Sequence, residues 1–402
     1  MKKTILTFGL CLILLLSGCA QKSGMPSETA STPAADPASG LSQPGESTSA
    51  PVDVKQVDWS KIQGKISGIY PAGGSKVLIF ANQITLYDLA GGVTAAAVSK
   101  EALRGVRCWT LDNGFAIAGE KVPQDSDKSP GFSVGGSGPQ FRVIFYDASL
   151  KDRSELDLSK LLGDKDFLTD TNAIAVSSDG SQIVYATMHG LYLYDRQSDQ
   201  RTTLIDLTQE DNRVRSGIST IEQVGFTNGG KSISFKAQSF DVPAVTDKPS
   251  FDTIGTINTD GTGLTNKKID GYAAKELSAY TSRLLVAEDF TVADGRVMVM
   301  DSKSGDQRIY NLADKKEGGN IYGSDTGCYF ASSVSSKTGW TVRIYDAETG
   351  KLAKEQSISN NGQELYGVND PVLRVVDETR TCFVLLGNKQ DAVDTKIEMF
   401  SF

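Results

Sequence analysis

The chain has 402 residues, a formal net charge of −8, 40 Gly, five Cys and one His. The acidic balance excludes a cationic face for nucleic-acid phosphates, and so few scattered Cys and His exclude a zinc cluster. The length allows either two or three ordinary domains or one long all-β domain.

Residues 1–19, "MKKTILTFGLCLILLLSGC", place Lys2 and Lys3 before an apolar stretch from Ile5 to Leu16. That stretch is too short to span a bilayer as a stable helix and has the shape of a secretory signal. Its end, Leu16-Ser17-Gly18-Cys19, resembles the lipobox of bacterial lipoproteins. The resemblance implies cleavage before Cys19, a diacylglyceryl thioether on its sulfur, and an extracytoplasmic protein anchored to the membrane by lipid. Two or more acyl chains, as mature lipoproteins of this type carry, make a stable anchor.

Residues 20–52 hold small polar residues and Pro, with no aromatic side chain. Such a segment cannot bury enough apolar surface to fold and reads as a tether reaching about 30 Å. The expected organisation is a signal peptide at 1–18, the lipidated Cys19 and tether to 52, and one folded domain at 53–402.

That domain repeats. "ITLYDLAGG", "VIFYDASLK", "LYLYDRQSD", "IGTINTDGTG", "VMVMDSKSGD" and "VRIYDAETGK" each run an apolar strand into Asp or Asn and a turn, and "KIEMFSF" closes the series. The markers are Asp88, Asp147, Asp195, Asn258, Asp301, Asp346 and Ser401, spaced 43 to 63 residues apart. A period near 50 with four strands per unit predicts a β-propeller, here all-β with seven four-stranded blades. In the third unit the strands A to D are expected at 172–178, 182–188, 190–196 and 200–207. In the seventh, A, B and C are expected near 371–379, 381–389 and 395–402, with no D strand after them. The strand-like 52–59, with alternating Val54, Val57 and Trp59, is expected to close the ring as that missing strand; the alternative is that it continues the tether. The recurrent Asp reads as structural, because an Asp side chain bonds backbone N–H groups two or three residues on.

"SSDGSQIVY" resembles the repeat of TolB-like propellers. "VRIYDAETGKLAKEQSI" and "VMVMDSKSGDQRIYNL" resemble the YVTN-type repeat of surface-layer and quinoprotein-like propellers. The resemblance covers roughly 53–402 and implies a fold far more than a function. The Gly-His and Trp-Asp pairs of true WD repeats are missing.

Two motifs are decoys. "GFTNGGKS" (225–232) satisfies the phosphate-loop pattern, but "SISFKAQ" after it reads as a strand, and phosphate binding needs a helix N-terminus there. No nucleotide partner is therefore expected. "GFSVG" (131–135) matches the nucleophile-elbow pattern inside a Gly/Ser/Pro loop and would need His189 folded onto it.

The long connections are 123–140, 159–171, 208–219, 240–251 and 359–370, all B–C or D–A and so all on one rim. Long loops held by a rigid scaffold carry function, so that rim is the expected binding surface for a protein or cell-envelope ligand. Its aromatic candidates are Phe132, Phe167, Phe240, Phe251 and Tyr366. The same rim surrounds the channel mouth, near which stand Arg107, Asn172, Glu222, Glu276, Asn320 and Asp370. No cofactor is required. The alternative is Ca²⁺ held by Asn172, Glu222, Glu276, Asn320 and Asp370, in the manner of propeller lactonases, giving a metal-dependent hydrolase. Cys108, Cys328 and Cys382 are expected as buried thiols, with a Cys328–Cys382 bridge as the alternative.

Overall fold

A computed structural model describes residues 56–81, 83–98, 103–121, 141–162, 166–240, 251–269, 271–277, 283–288, 295–301, 304–319, 321–359, 370–387 and 395–402. All of them belong to one compact unit, 49–402. Residues 1–55, which include the expected lipidation site Cys19 and the expected tether, lie outside the described residues.

The described residues form seven antiparallel sheets, at 68–98, 103–157, 174–206, 218–268, 272–311, 321–359 and 372–401. Each sheet is a meander in which every strand pairs with the next; six have four strands and the seventh has three. In the third sheet the strands are Ile174–Val176, Gln182–Thr187, Gly190–Asp195 and Gln200–Asp206. In the seventh they are Val372–Val376, Thr381–Gly387 and Thr395–Ser401. Both sets match the strands read from the sequence. All seven markers end a third strand, from Asp88 to Ser401.

Sheets stack face to face through alternate residues of their strands, since successive side chains of a strand point to opposite faces. Ile69, Val77, Ile79 and Tyr87 of the first sheet pack against Val376, Phe383 and Leu385 of the seventh. The other face of the first sheet, Leu78, Phe80, Ile84 and Leu86, packs against Phe115, Ile117, Ile144 and Tyr146 of the second. Trp109 and Phe145 of the second sheet join the largest cluster with Tyr185 and Leu193 of the third and Phe226 and Phe235 of the fourth. The first strands of neighbouring sheets also meet, including Gly68–Pro71 against Val372–Val376. Each buried Ile, Leu, Val or Phe contributes about 1.5–3 kcal/mol, so these seams dominate the stability. In the fourth sheet Gly255 is required by packing: a Cβ there would stand 2.0 Å from the ring of Phe235.

The approach to the first sheet differs from the expected strand. Residues 56–58 are not in a strand, and Trp59–Lys61 is a 3-10 turn whose start is held by Asp58 accepting from Ser60 N. Asp58 prefers this local side-chain bond over an extended ladder. Val57 is nevertheless buried among the first and seventh sheets, with Trp59, Ile397 and Met399 packed at the edge of that cluster. Residues 52–55 lie outside the described residues.

The cysteines meet the expectation of free thiols and depart from it only in the burial of two of them. All three are free; Cys382 is buried, Cys108 half-buried and Cys328 exposed. Cys328 precedes the strand Tyr329–Ser336 and sits in its turn, which is why it escapes the apolar pattern of that strand.

Candidate functional site

Among the described residues, the turns after A strands and after C strands are tight. The Asp markers hold the C–D turns as expected. Asp195 accepts from Gln197 N, Ser198 N and Ser198 Oγ at 2.8–3.0 Å. Asp147 accepts from Ser149 and Lys151, and Asp346 from Glu348 and Thr349. Asn258 bonds Thr262 and Ser232 instead. Hydrogen bonds from Ser198 hold the Asp195 carboxyl below the usual carboxylate range, and those from Lys151 and Ser149 do the same for Asp147.

The "GGKS" decoy resolves as an A–B turn. Thr227 ends one strand and Ser232 begins the next, with Asn228, Gly229 and Gly230 at positive φ between them. No helix follows Ser232, so no helix N-terminus is available for a phosphate. Residues 131–135 lie outside the described residues.

The opposite rim carries the long connections. Phe141 follows Lys121, Ile174 follows Asp157, Ile218 follows Asp206, Phe251 follows Ser239, and Val372 follows Ser359 as the next strand begins. The best-described stretch surrounds the B–C turn of the third sheet. Gly190 has φ 151°, and a Cβ there would stand 2.1 Å from the carbonyl oxygen of Ile205, so only glycine fits. This sharp reversal lifts Met188 and His189 to the rim. His189 Nδ1 lies 3.1 Å from Asp166 Oδ1 in the preceding connection. Arg213 lies in the helix Glu210–Ser216 of the following connection and donates to the carbonyls of Leu207 and Met188 at 2.8 and 3.0 Å. The helix ends on Gly217 at φ 69°, whose N–H returns to Arg213 O. Thr169 crosses to the next sheet by donating to Ile221 O. The third turn is thus pinned from both neighbouring connections.

Phe167 stands beside Asp166 on this platform and is 51% exposed, an unusual state for a Phe. Phe240 and Phe251 are half-buried; Phe240 N bonds Gly217 O, and the Phe251 ring takes the Lys268 ammonium 4.3 Å from its centroid. Phe132 and Tyr366 lie outside the described residues.

The residues expected at the starts of the A strands do not all stand there: Arg107 and Glu222 lie midway along Leu103–Leu111 and Ile218–Thr227, and Glu276 near the end of Tyr272–Leu277. Asn172 Oδ1 accepts from the Arg107 guanidinium, which also lies 5.7 Å from the Trp109 ring. Glu222 pairs with Lys236 at 3.0 Å, and Lys236 also faces Asp252 at 3.5 Å. Asp370 is exposed. The side chains of Glu276 and Asn320 lie outside the described residues. The oxygens of Asn172 and Glu222 therefore already face protein cations. Among the described residues no group of three His, Cys, Asp or Glu is placed to hold a metal ion.

Sequence reasoning missed Asp166, Arg213 and Glu317. Arg213 had a local signal, the acidic Glu210 and Asp211 opening a helix that Gly217 closes. Glu317 had none: it lies in the 3-10 turn Lys315–Gly319, is fully buried, and accepts from Ser332 Oγ, Tyr345 OH and Arg343 of the sixth sheet.

No family model matches the chain, and no curated protein matches it. Among solved structures it is similar to the β-propeller domain of Cps50 (Swd1) from Myceliophteria thermophila, with a TM-score of 0.53 and 12% identity. The match covers 84% of this chain and 97% of that one. At that identity the likeness concerns the fold alone: the chain is nearly all-β, built of four-stranded antiparallel sheets in a propeller arrangement.

Proposed function

We propose that the chain is an extracytoplasmic, lipid-anchored seven-bladed propeller whose loop rim binds a protein or cell-envelope ligand. The blade count is supported by the seven sheets among the described residues, and ring closure by the packing of the first sheet on the seventh with Val57 between them. The anchor rests on the "LSGC" run at 16–19, with Cys19 as the lipidated residue.

The observation that carries the binding role is the one-sided placement of the long connections. Neutral insertions would scatter over both rims, whereas these share one, and the described part of it is pinned while leaving Phe167 exposed beside His189. Aromatic anchors on rigid platforms dominate recognition surfaces. Nothing in the geometry of Asn172 and Glu222 favours the calcium-dependent hydrolase.

Two experiments test this reading. Cys19→Ala should release the protein or leave it unprocessed; membrane fractionation and cleavage like the parent's would overturn the anchor. The soluble domain should capture a partner from envelope extracts, and Phe167→Ala should weaken that capture without lowering Tm. Undiminished capture would remove Phe167 from the binding surface.

A further inference from the structure

The tight-turn rim holds one arrangement that the turn chemistry does not explain. In the A–B turn of the sixth sheet, Ser324, Asp325 and Thr326 follow the strand Ile321–Gly323. In the A–B turn of the seventh, Asp377 follows Val372–Val376. The two turns are tied together across the seam between sheets. Asp377 Oδ2 accepts from Ser324 Oγ at 2.7 Å, Thr326 N at 3.0 Å, and Thr326 Oγ1. Asp325 Oδ1 accepts from Asp377 N at 3.2 Å and from Thr326 N at 3.1 Å.

Three donors thus converge on Asp377 Oδ2. Its other oxygen, Oδ1, is buried and has no donor among the described residues. A buried carboxylate oxygen without a donor is costly. The neighbouring Asp325 carboxyl supplies that donor if it carries a proton. Like charges at such close range cannot both stay ionised at low cost.

We propose that Asp325 and Asp377 share one proton and form an acid-dependent latch between the sixth and seventh sheets. While the proton is held, the two turns stay clasped; when it leaves, repulsion opens the turn rim at this seam. Burial, then the charge of Asp377, pushes the Asp325 carboxyl up to about 7.

The sign follows from linkage. Opening returns Asp325 to the ordinary carboxylate value of 3.8, so the closed state binds the proton more tightly than the open one. The latch is at full strength below that ordinary value, weakens as pH rises, and stops changing above about 7. Other groups face the pair. Arg380 and Glu378 lie in the seventh sheet's turn and are exposed. Cys328 Sγ lies 3.2 Å from Thr326 Oγ1, whose one proton goes to Asp377. Tyr329, raised by burial, has an ordinary value far above this window. Asp346 spends its Oδ1 on its own turn. The same seam carries Phe402, whose N–H bonds Arg380 O at 2.9 Å and whose ring meets Tyr329 edge-on at 5.0 Å.

Amide hydrogen exchange of the folded domain between pH 5 and 8 tests the latch, after correction for intrinsic rates. The opening constant reported by the Thr326 and Asp377 amides should rise about tenfold per pH unit from 5 to 6.5 and flatten above 7. Asp325→Asn, which keeps an N–H donor for Asp377, should leave it independent of pH. If that variant does not fold, Asp377→Asn replaces it and should shrink the dependence by removing the second charge. A flat profile in the parent, or an unchanged slope in the variant that folds, overturns the proposal.

Discussion

The two rims of this propeller are built from different chemistry. On the turn rim, described connections are short and carboxylates hold several of them locally, serving N–H groups two to four residues away, as Asp147 and Asp195 do. The loop rim carries the long connections, and around the third sheet these are held by side chains reaching across from neighbouring elements, as Asp166, Thr169 and Arg213 do. Local bonds make a turn that any blade can repeat. Distant bonds make a platform that differs from blade to blade, which is what a specific binding surface requires. The Asp325–Asp377 pair departs from the local pattern by linking two turns through carboxylates, at a sheet boundary like the one where Asp112 N reaches Ser178 O.

If distant bonds hold the loop rim, its largest single loss comes from its most buried anchor. Glu317→Ala leaves Arg343 without a buried partner, though Glu355 still faces it at 2.7 Å. The expected cost is about 3 kcal/mol, the lower end for a broken buried pair. Denaturant unfolding measures it; a loss below about 0.5 kcal/mol would show that the connection is not anchored there.

The segment before the first sheet gives the next effect. A version of the chain starting at Gln63 removes the buried Val57 and Ile62 and should lose about 3 kcal/mol, the lower end for two buried aliphatic side chains. A version starting at Ala50 should match the full domain. Equal melting temperatures for the two would show that the segment contributes nothing to the seam between the first and seventh sheets.

A smaller effect belongs to the turn rim. Asp195→Ala removes three local acceptor contacts at an exposed site and should lower Tm slightly. Because folding holds this carboxyl below its ordinary value, the difference between parent and variant should be present at neutral pH and vanish as pH falls through the folded value. A difference that grows on acidification would contradict the assignment.

The two rims were also unequally legible in the sequence. Strands and turn Asp residues repeat because every blade solves the same local problem, so the series from Asp88 to Ser401 located every third strand. The third sheet was readable almost to the residue, since Gly and Asp mark its turns. The expected strand 52–59 gives way to non-strand residues 56–58 and a 3-10 turn from Trp59, because Val57 and Trp59 share the strand spacing of two while the deciding bond comes from Asp58. Glu317 and the Asp325–Asp377 pair were invisible because their partners come from distant positions, such as Tyr345 and Ser324. Of the five aromatic candidates, Phe167 stands exposed, and neither hydropathy nor spacing distinguished it from Phe240 and Phe251.

Shortening 123–140 or 240–251 to a Gly-containing hairpin turn separates the two rims most sharply. Loop-closure entropy changes by only about 0.6 kcal/mol per doubling of length and favours the shorter loop. The shortened domains should therefore melt with the parent and lose capture of the partner that the intact domain retrieves. Equivalent edits to the turns at 178–181 and 228–231 should leave capture intact. Loss of capture from those turn edits, with capture retained after both loop deletions, would place the binding surface on the opposite rim.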